Sequence, residues 1–129
     1  MPYKCWRILI AEDQPYLRSR IEKSLKELGC RRLTTAQSFR ELLGLTHYSH
    51  EPFEGFELMI INGELLAATG IDPVRFFLSN PQIRHGLIHD ARRGQPKAET
   101  IYASQQRQLN LIRTLDRQSL DAVLVSLSA

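Results

Sequence analysis

Cysteine is scarce in this 129-residue chain, with Cys5 and Cys30 the only two. They form neither a metal-ligand spacing nor a C-x-x-C pair, and they are too few for a disulfide scaffold. Two free thiols in a reducing compartment are the expectation. Long apolar runs are missing as well. No stretch approaches the ~20 residues that span a bilayer, and the first ten residues lack the apolar segment of a secretory signal. The chain is therefore expected to be cytoplasmic, with no membrane partner. It has no internal repeat, no low-complexity stretch and no glycine-rich nucleotide loop of either standard form. No block of one charge sign occurs either. The 17 basic residues outnumber the 14 acidic ones by three, but the tightest basic clusters are only pairs, Arg31 with Arg32 and Arg92 with Arg93. A nucleic-acid footprint needs a patch or stripe, so no specific nucleic-acid partner is expected.

A hydrophobic fraction of 43% and a charged fraction of 24% are ordinary for a globular chain and exclude disorder. The length suits a single domain over 1–129 that buries its own core.

Apolar segments alternate between strand and helix character. Residues 7–11 form a short continuous apolar run, as in a strand buried on both faces. Pro15 then stands where a helix takes its first residue. Leu17, Ile21, Leu25 and Leu28 make one helix stripe, and Gly29 stops it. Residues 33–36 read as an edge strand. Ser38 with Glu41 has the capping-box form before Phe39, Leu42 and Leu43. A polar loop over 47–55 leads to a third strand at 56–61. Asp72 and Pro73 open a helix burying Val74, Phe77 and Leu78, and 86–89 is a fourth strand. Residues 97–106 read as a helix through Ala98, Ile101 and Tyr102. The tail has two readings. Residues 121–127 are a strand, or 109–115 are the strand and the tail is a helix. The second is preferred, because Leu120, Val123, Leu124 and Leu127 fall on one helix stripe behind Ser119 as N-cap. Five βα units imply a parallel sheet with helices on both faces.

In such folds function sits at the carboxyl ends of the strands. There the chain places Glu12 and Asp13, Asn62, Asp90, and the residues after Leu115. Adjacent carboxylates persist where a cation or a basic side chain neutralises them, and Mg²⁺ suits one or two carboxylates plus waters. They serve equally as a solvated acidic cap on the first helix. Asn62-Gly63 is also a hairpin-turn signal with 65–67 as the returning strand, but Gly70 and the capped helix after it favour a crossover loop. The same dipeptide carries a chemical liability, since the glycine nitrogen attacks the asparagine amide and hydrolysis yields Asp or isoAsp. Weaker candidates are His47 and His50, three apart in a loop without a third ligand. His89 is expected on the face opposite Asp90. Ser104, Ser119 and Ser126 suggest no triad, and Phe76 with Phe77 reads as core.

The run Ile8-Leu9-Ile10-Ala11-Glu12-Asp13-Gln14-Pro15 resembles the opening of response-regulator receiver domains, where an apolar strand ends in an acidic pair that binds Mg²⁺. The resemblance extends through nearly the whole chain. Asn62 falls at the phosphoacceptor position, Gly70 at the loop glycine, Asp90-Ala91 at the Thr/Ser-Ala step and Arg117 at the lysine. The tail is most similar to receivers attached to cyclic-di-GMP phosphodiesterases. The resemblance implies a flavodoxin-like three-layer sandwich with five parallel strands in the order 2-1-3-4-5.

The departures carry as much meaning. An amide at Asn62 cannot serve as the carboxylate nucleophile, and an ionised Asp90 would repel a phosphoryl group. Arg117 keeps the charge of the lysine with different geometry. Leu66 and Gln118 replace prolines, and Thr114 stands at the aromatic switch position. The resemblance therefore implies a degenerate receiver-like signalling module. It would not be an enzyme or be phosphorylated at the usual site, and it would act on a signalling protein or a fused output domain. Homodimerisation is a further option. Glu12, Asp13 and Asp90 are expected to form an acidic pocket beside Asn62, with Arg117 reaching in as a latch. Glu12 and Asp13 are candidate ligands for weakly held Mg²⁺. Two alternatives stay open: a working phosphorelay receiver with an atypical acceptor, or a small flavodoxin-like ligand-binding domain or enzyme.

Overall fold

The computed structural model describes residues 3–46 and 55–128. His47, His50 and most of the polar loop expected over 47–55 lie outside the described residues.

Local chemistry sets most element ends. Strand β1 (Arg7–Ala11) leads to helix α1 (Pro15–Glu27), which starts at its proline and ends before Gly29 at φ 95. Strand β2 (Arg32–Ala36) precedes helix α2 (Phe39–Thr46), where Ser38 Oγ accepts from the Glu41 backbone N–H at 3.1 Å. Strand β3 (Phe56–Asn62) runs directly into the short helix α3 (Gly63–Ala67), so Asn62-Gly63 does not turn a hairpin. Helix α4 (Pro73–Leu78) is capped by Asp72. Strand β4 (Ile83–His89) follows, then β5 (Glu99–Ala103), β6 (Gln108–Ile112) and helix α5 (Arg117–Ser128). The tail is thus a helix, with Leu120, Val123 and Leu124 buried. Its cap is Asp116 rather than Ser119. Asp116 Oδ1 accepts from Ser119 N–H at 2.7 Å, and Ser119 Oγ accepts from Asp116 N–H at 3.0 Å. Among the described residues, no helix is long and apolar enough to cross a membrane.

Among the described residues the sheet has six strands in the order β2-β1-β3-β4-β6-β5, rather than the five expected. β1, β2, β3, β4 and β6 are parallel, and the run through β4 has the flavodoxin-like order. The extra strand is β5, antiparallel to β6, in the segment the apolar spacing assigns to a helix. Thr100, Ile101 and Tyr102 are β-branched or aromatic and suit a pleated surface. Their partners lie on β6, where a local helical pattern does not register them. A bulge between Thr100 and Tyr102 sends the flanking side chains to opposite faces. Thr100 hydrogen-bonds Asn110 at 2.7 Å, and Tyr102 packs edge-on against Phe77 with ring centroids 6.0 Å apart.

Strand alternation divides the core. Leu9, Ala11, Met59, Ile61, Ile88 and Leu109 face α2, α3 and α4. Ile8, Ile10, Leu58, Ile60, Leu87 and Ile112 face α1 and α5, with Trp6 and Cys30 at the amino end. Cys5 is exposed, and both thiols are free.

Because β6 lies between β4 and β5, residues 91–98 must arch over the carboxyl end of β6. The arch is tied down by Arg113 N–H to Gln95 O at 2.9 Å and Arg113 Nε to Gly94 O at 3.1 Å. A Cβ on Gly94 would sit 2.2 Å from the Arg113 nitrogen, so only glycine fits. At the other end of the sheet Arg107 closes the hairpin onto α4. Its guanidinium donates to the carbonyls of Phe77, Asn80 and Ile83 at 2.8, 3.1 and 2.9 Å and lies 4.1 Å over the Phe77 ring.

Both anchors are testable by chemical denaturation. Gly94→Ala forces backbone displacement, with an expected loss of about 1–3 kcal/mol. Arg107→Ala strips carbonyls of a charged donor and should cost about 2–3 kcal/mol. Unchanged midpoints in both variants would show that neither the arch nor the hairpin is anchored there.

Candidate functional site

The same alternation that builds the α1/α5 face extends past the ends of the strands. Ile8 and Ile10 lead to Glu12, Leu58 and Ile60 to Asn62, and Leu87 to His89. All three polar residues are buried, Glu12 completely. Asn62 Nδ2 donates to both Glu12 carboxylate oxygens, at 3.2 and 3.0 Å. Asn62 Oδ1 accepts from the Glu64 backbone N–H at 2.9 Å and so caps α3. One side chain thus joins the end of β1 to the start of α3, and these bonds fix which end of the amide faces which partner. Glu12 Oε2 also accepts from Asp13 N–H at 3.1 Å. His89 stands beside Asn62 in the sheet register, with Nε2 3.9 Å from Glu12 Oε1. That is too long for a hydrogen bond, and Nε2 has no partner among the described residues.

The electrostatics follow from burial. Desolvation raises the Glu12 pKa, the Asn62 hydrogen bond lowering it only in part. Burial pushes His89 down to about 4, although the charge of Asp90 acts in the opposite direction. At neutral pH His89 is neutral. The seam is held by hydrogen bonds rather than by ion pairs.

The other expected site residues divide. Asp13 is exposed, but its carboxyl group lies against that of Glu12 and adds to the rise in the Glu12 pKa. Asp90 is buried but points toward α3, where a Cβ on Gly63 would lie 2.6 Å from its Oδ2. Its Oδ1 accepts from Arg92 N–H at 2.9 Å and pairs with Arg92 Nε at 3.4 Å, shaping the turn into the arch. Arg117 does not reach the carboxylates. It pairs with Glu27 at 3.0 Å on the exposed side between α5 and α1. The chain therefore brings Glu12, Asn62 and Asp13 together, directs Asp90 and Arg117 to other partners, and adds His89. Counting by twos from Leu87, as from Ile60 to Asn62, would have placed His89 in the seam.

The donor set fits a divalent cation poorly. Mg²⁺ prefers anionic oxygens and keeps several waters. The oxygens of Glu12 are buried and engaged by Asn62 and Asp13, and Asp90 is engaged by Arg92. Asp13 alone offers an exposed carboxylate, which suits only weak Mg²⁺ binding. At the phosphoacceptor position the seam offers no carboxylate nucleophile, because Asn62 is an amide and Glu12 is fully buried. Above it opens a cavity of about 490 Å³, within the range of small-ligand sites, lined by Leu17, Arg20, Ile21, Asn62, His89 and Arg113.

Two measurements check this account. The folded pKa of His89, about 4, lies below its ordinary 6.5, so the unfolded chain binds the extra proton. The stabilisation is full above 6.5 and is lost as pH falls toward 4, by up to about 1.4 kcal/mol per pH unit. His85, also held at about 4 by burial, contributes with the same sign. Glu12 acts oppositely: its raised pKa gives stability at low pH that is lost as pH rises through the folded value. His89→Gln should therefore flatten the acid limb of a stability–pH curve; an unchanged slope would mean that His89 titrates normally. Arg117→Ala should change stability by less than about 1 kcal/mol, as for an exposed pair, and a larger loss would restore the latch.

Comparison with family models, curated proteins and solved structures finds no match to the chain.

Proposed function

We propose that this chain is a degenerate receiver-like signalling module that is not phosphorylated at the usual site and acts through protein–protein contact. The observation that carries the reading is the Asn62–Glu12 contact at the end of the central strand. A phosphorylatable site at this position needs an accessible carboxylate whose charge is managed by a metal and a mobile basic side chain. Here an amide fills the position and satisfies the neighbouring acid internally. The basic residue of the resemblance is engaged with Glu27 instead. The partner is a signalling protein or an output domain joined to the chain, met through the faces around β4 and β6. The state of the module is then set by what binds it, with a homodimer as the alternative arrangement.

The test is an intact mass after incubation with a small phosphodonor and Mg²⁺. The native chain should gain no acid-labile phosphoryl group, and a stable gain would overturn the proposal. Asn62→Asp should also fail to gain one, because Asp90 still stands at the hydroxyl position and Arg117 is still directed away. It should lower stability at neutral pH by placing a second carboxylate about 3 Å from Glu12. Phosphorylation of Asn62→Asp alone would show that the scaffold kept its chemistry and lost only the nucleophile.

A further inference from the structure

The cluster that keeps the Asn62 position uncharged also bears on the chemistry of the asparagine itself. We propose that Asn62-Gly63 is a deamidation site held closed by the native fold and opened when α3 unwinds. In the reaction the deprotonated Gly63 backbone nitrogen attacks Asn62 Cγ. A carbon–nitrogen bond forms, Nδ2 takes up a proton and leaves as ammonia, and a succinimide ring closes. Water then opens the ring at either carbonyl, giving Asp or isoAsp. No oxidant or further reactant is needed. Glycine is the most permissive successor because no Cβ hinders the attack.

The native geometry opposes each stage. Ring closure needs rotation about both the side-chain and backbone bonds of Asn62. The backbone is fixed in the extended region at φ −73 and ψ 123 by β3 on one side and α3 on the other. The amide is pinned at both ends, Oδ1 to Glu64 N–H at 2.9 Å and Nδ2 to the Glu12 carboxylate at 3.0 Å. Asn62 is 6% exposed, so the hydrolytic water has little access. Gly63 faces Asp90 on the side where a Cβ would lie 2.6 Å from Oδ2. Opening therefore requires α3 to release its cap, and α3 has only five residues. The Asp product would stand as a carboxylate against Glu12. The isoAsp product would route the backbone through the former side chain and remove the acceptor that caps α3. That the Asp product would also restore the acceptor position of a receiver rests on the function proposed above; the deamidation chemistry does not.

The test follows the gain of about one mass unit at residues 62–63 by peptide mapping, at mildly alkaline pH. It compares the native chain, the chain in concentrated urea and a synthetic peptide covering 56–69. The urea-unfolded chain and the peptide should deamidate at similar rates and the native chain at least about tenfold more slowly, which corresponds to ~1.4 kcal/mol of opening. Equal rates in native and unfolded chains would overturn the proposal. Glu12→Ala, checked for folding by circular dichroism, should accelerate the native reaction. Glu12→Gln should stay near the native rate, because its side-chain carbonyl still accepts from Asn62. A folded Glu12→Ala with unchanged rate would remove the lock, and if that variant unfolds, the native-against-urea comparison still decides. The small mass gain is distinct from that of a phosphoryl group, so failure of this inference and failure of the proposed function are separately visible.

Discussion

The hydrogen bonds from Asn62 to Glu12 constrain the whole carboxyl end of the sheet. A fully buried carboxyl group is costly unless donors reach it, and Asn62 supplies the principal side-chain donor. An amide at 62 meets this need as a neutral donor. Aspartate would cap α3 equally well but would confront Glu12 with a second charge. From Asn62 the constraint spreads along the strand ends. Its cap starts α3 at Gly63, whose missing side chain leaves room for Asp90. Asp90 turns the chain back through Arg92 and, by its own backbone N–H, holds the carbonyl of Ile112 at 2.9 Å. Gly94 and Gln95 then complete the arch over β6. A contact between the first and third strands is thus continuous with the geometry of the last.

Much of this was legible from sequence, where the pattern is local. The α1 stripe and the tail helix with Leu120, Val123 and Leu124 are set by spacing along their own elements, and both form. β5 was not legible, because Ala98, Ile101 and Tyr102 fit a helical period locally and the deciding interactions lie on β6. The site divides in the same way. Residue chemistry points to Glu12, Asp13, Asn62 and Asp90 alike, but alternation sends Asp90 to the α3 side and leaves Asp13 in solvent. Arg117 begins α5 immediately after its cap, and the helix directs the side chain toward α1 and Glu27. The order of residue types does not carry this directional information; only strand parity and helix phase do.

The seam also differs in electrostatic kind from a site built to gain and lose a phosphoryl group. Such a site must accommodate changing negative charge, which calls for exposed carboxylates, a metal and a mobile cation. Around Asn62 the buried groups carry little charge instead, and Asp13 keeps the exposed carboxylate, against Glu12. His89 is neutral, Glu12 is pushed toward its protonated form by burial, and the nearby basic groups serve other partners. A structure of this kind resists a change of charge at its centre, and this is the physical reason for proposing control by binding rather than by phosphoryl transfer.

The hairpin at the far side of the sheet extends that argument to the surface through which binding would act. In the five-stranded arrangement a helix would cross from β4 to the last parallel strand and cover one face. Here the crossing is made by the arch and β5, and the face gains Ile101 and Tyr102 in place of a helix. Arg107 holds this arm at its turn by bonding three carbonyls on and after α4, while the arch holds it at the opposite end through Gly94 and Arg113. The arm is therefore fixed at both ends, and its middle is the bulge at Ile101. The arch is in turn continuous with Asp90, Gly63 and the Asn62 cap through backbone and side-chain contacts, so the clamped strand and the buried seam form one connected framework.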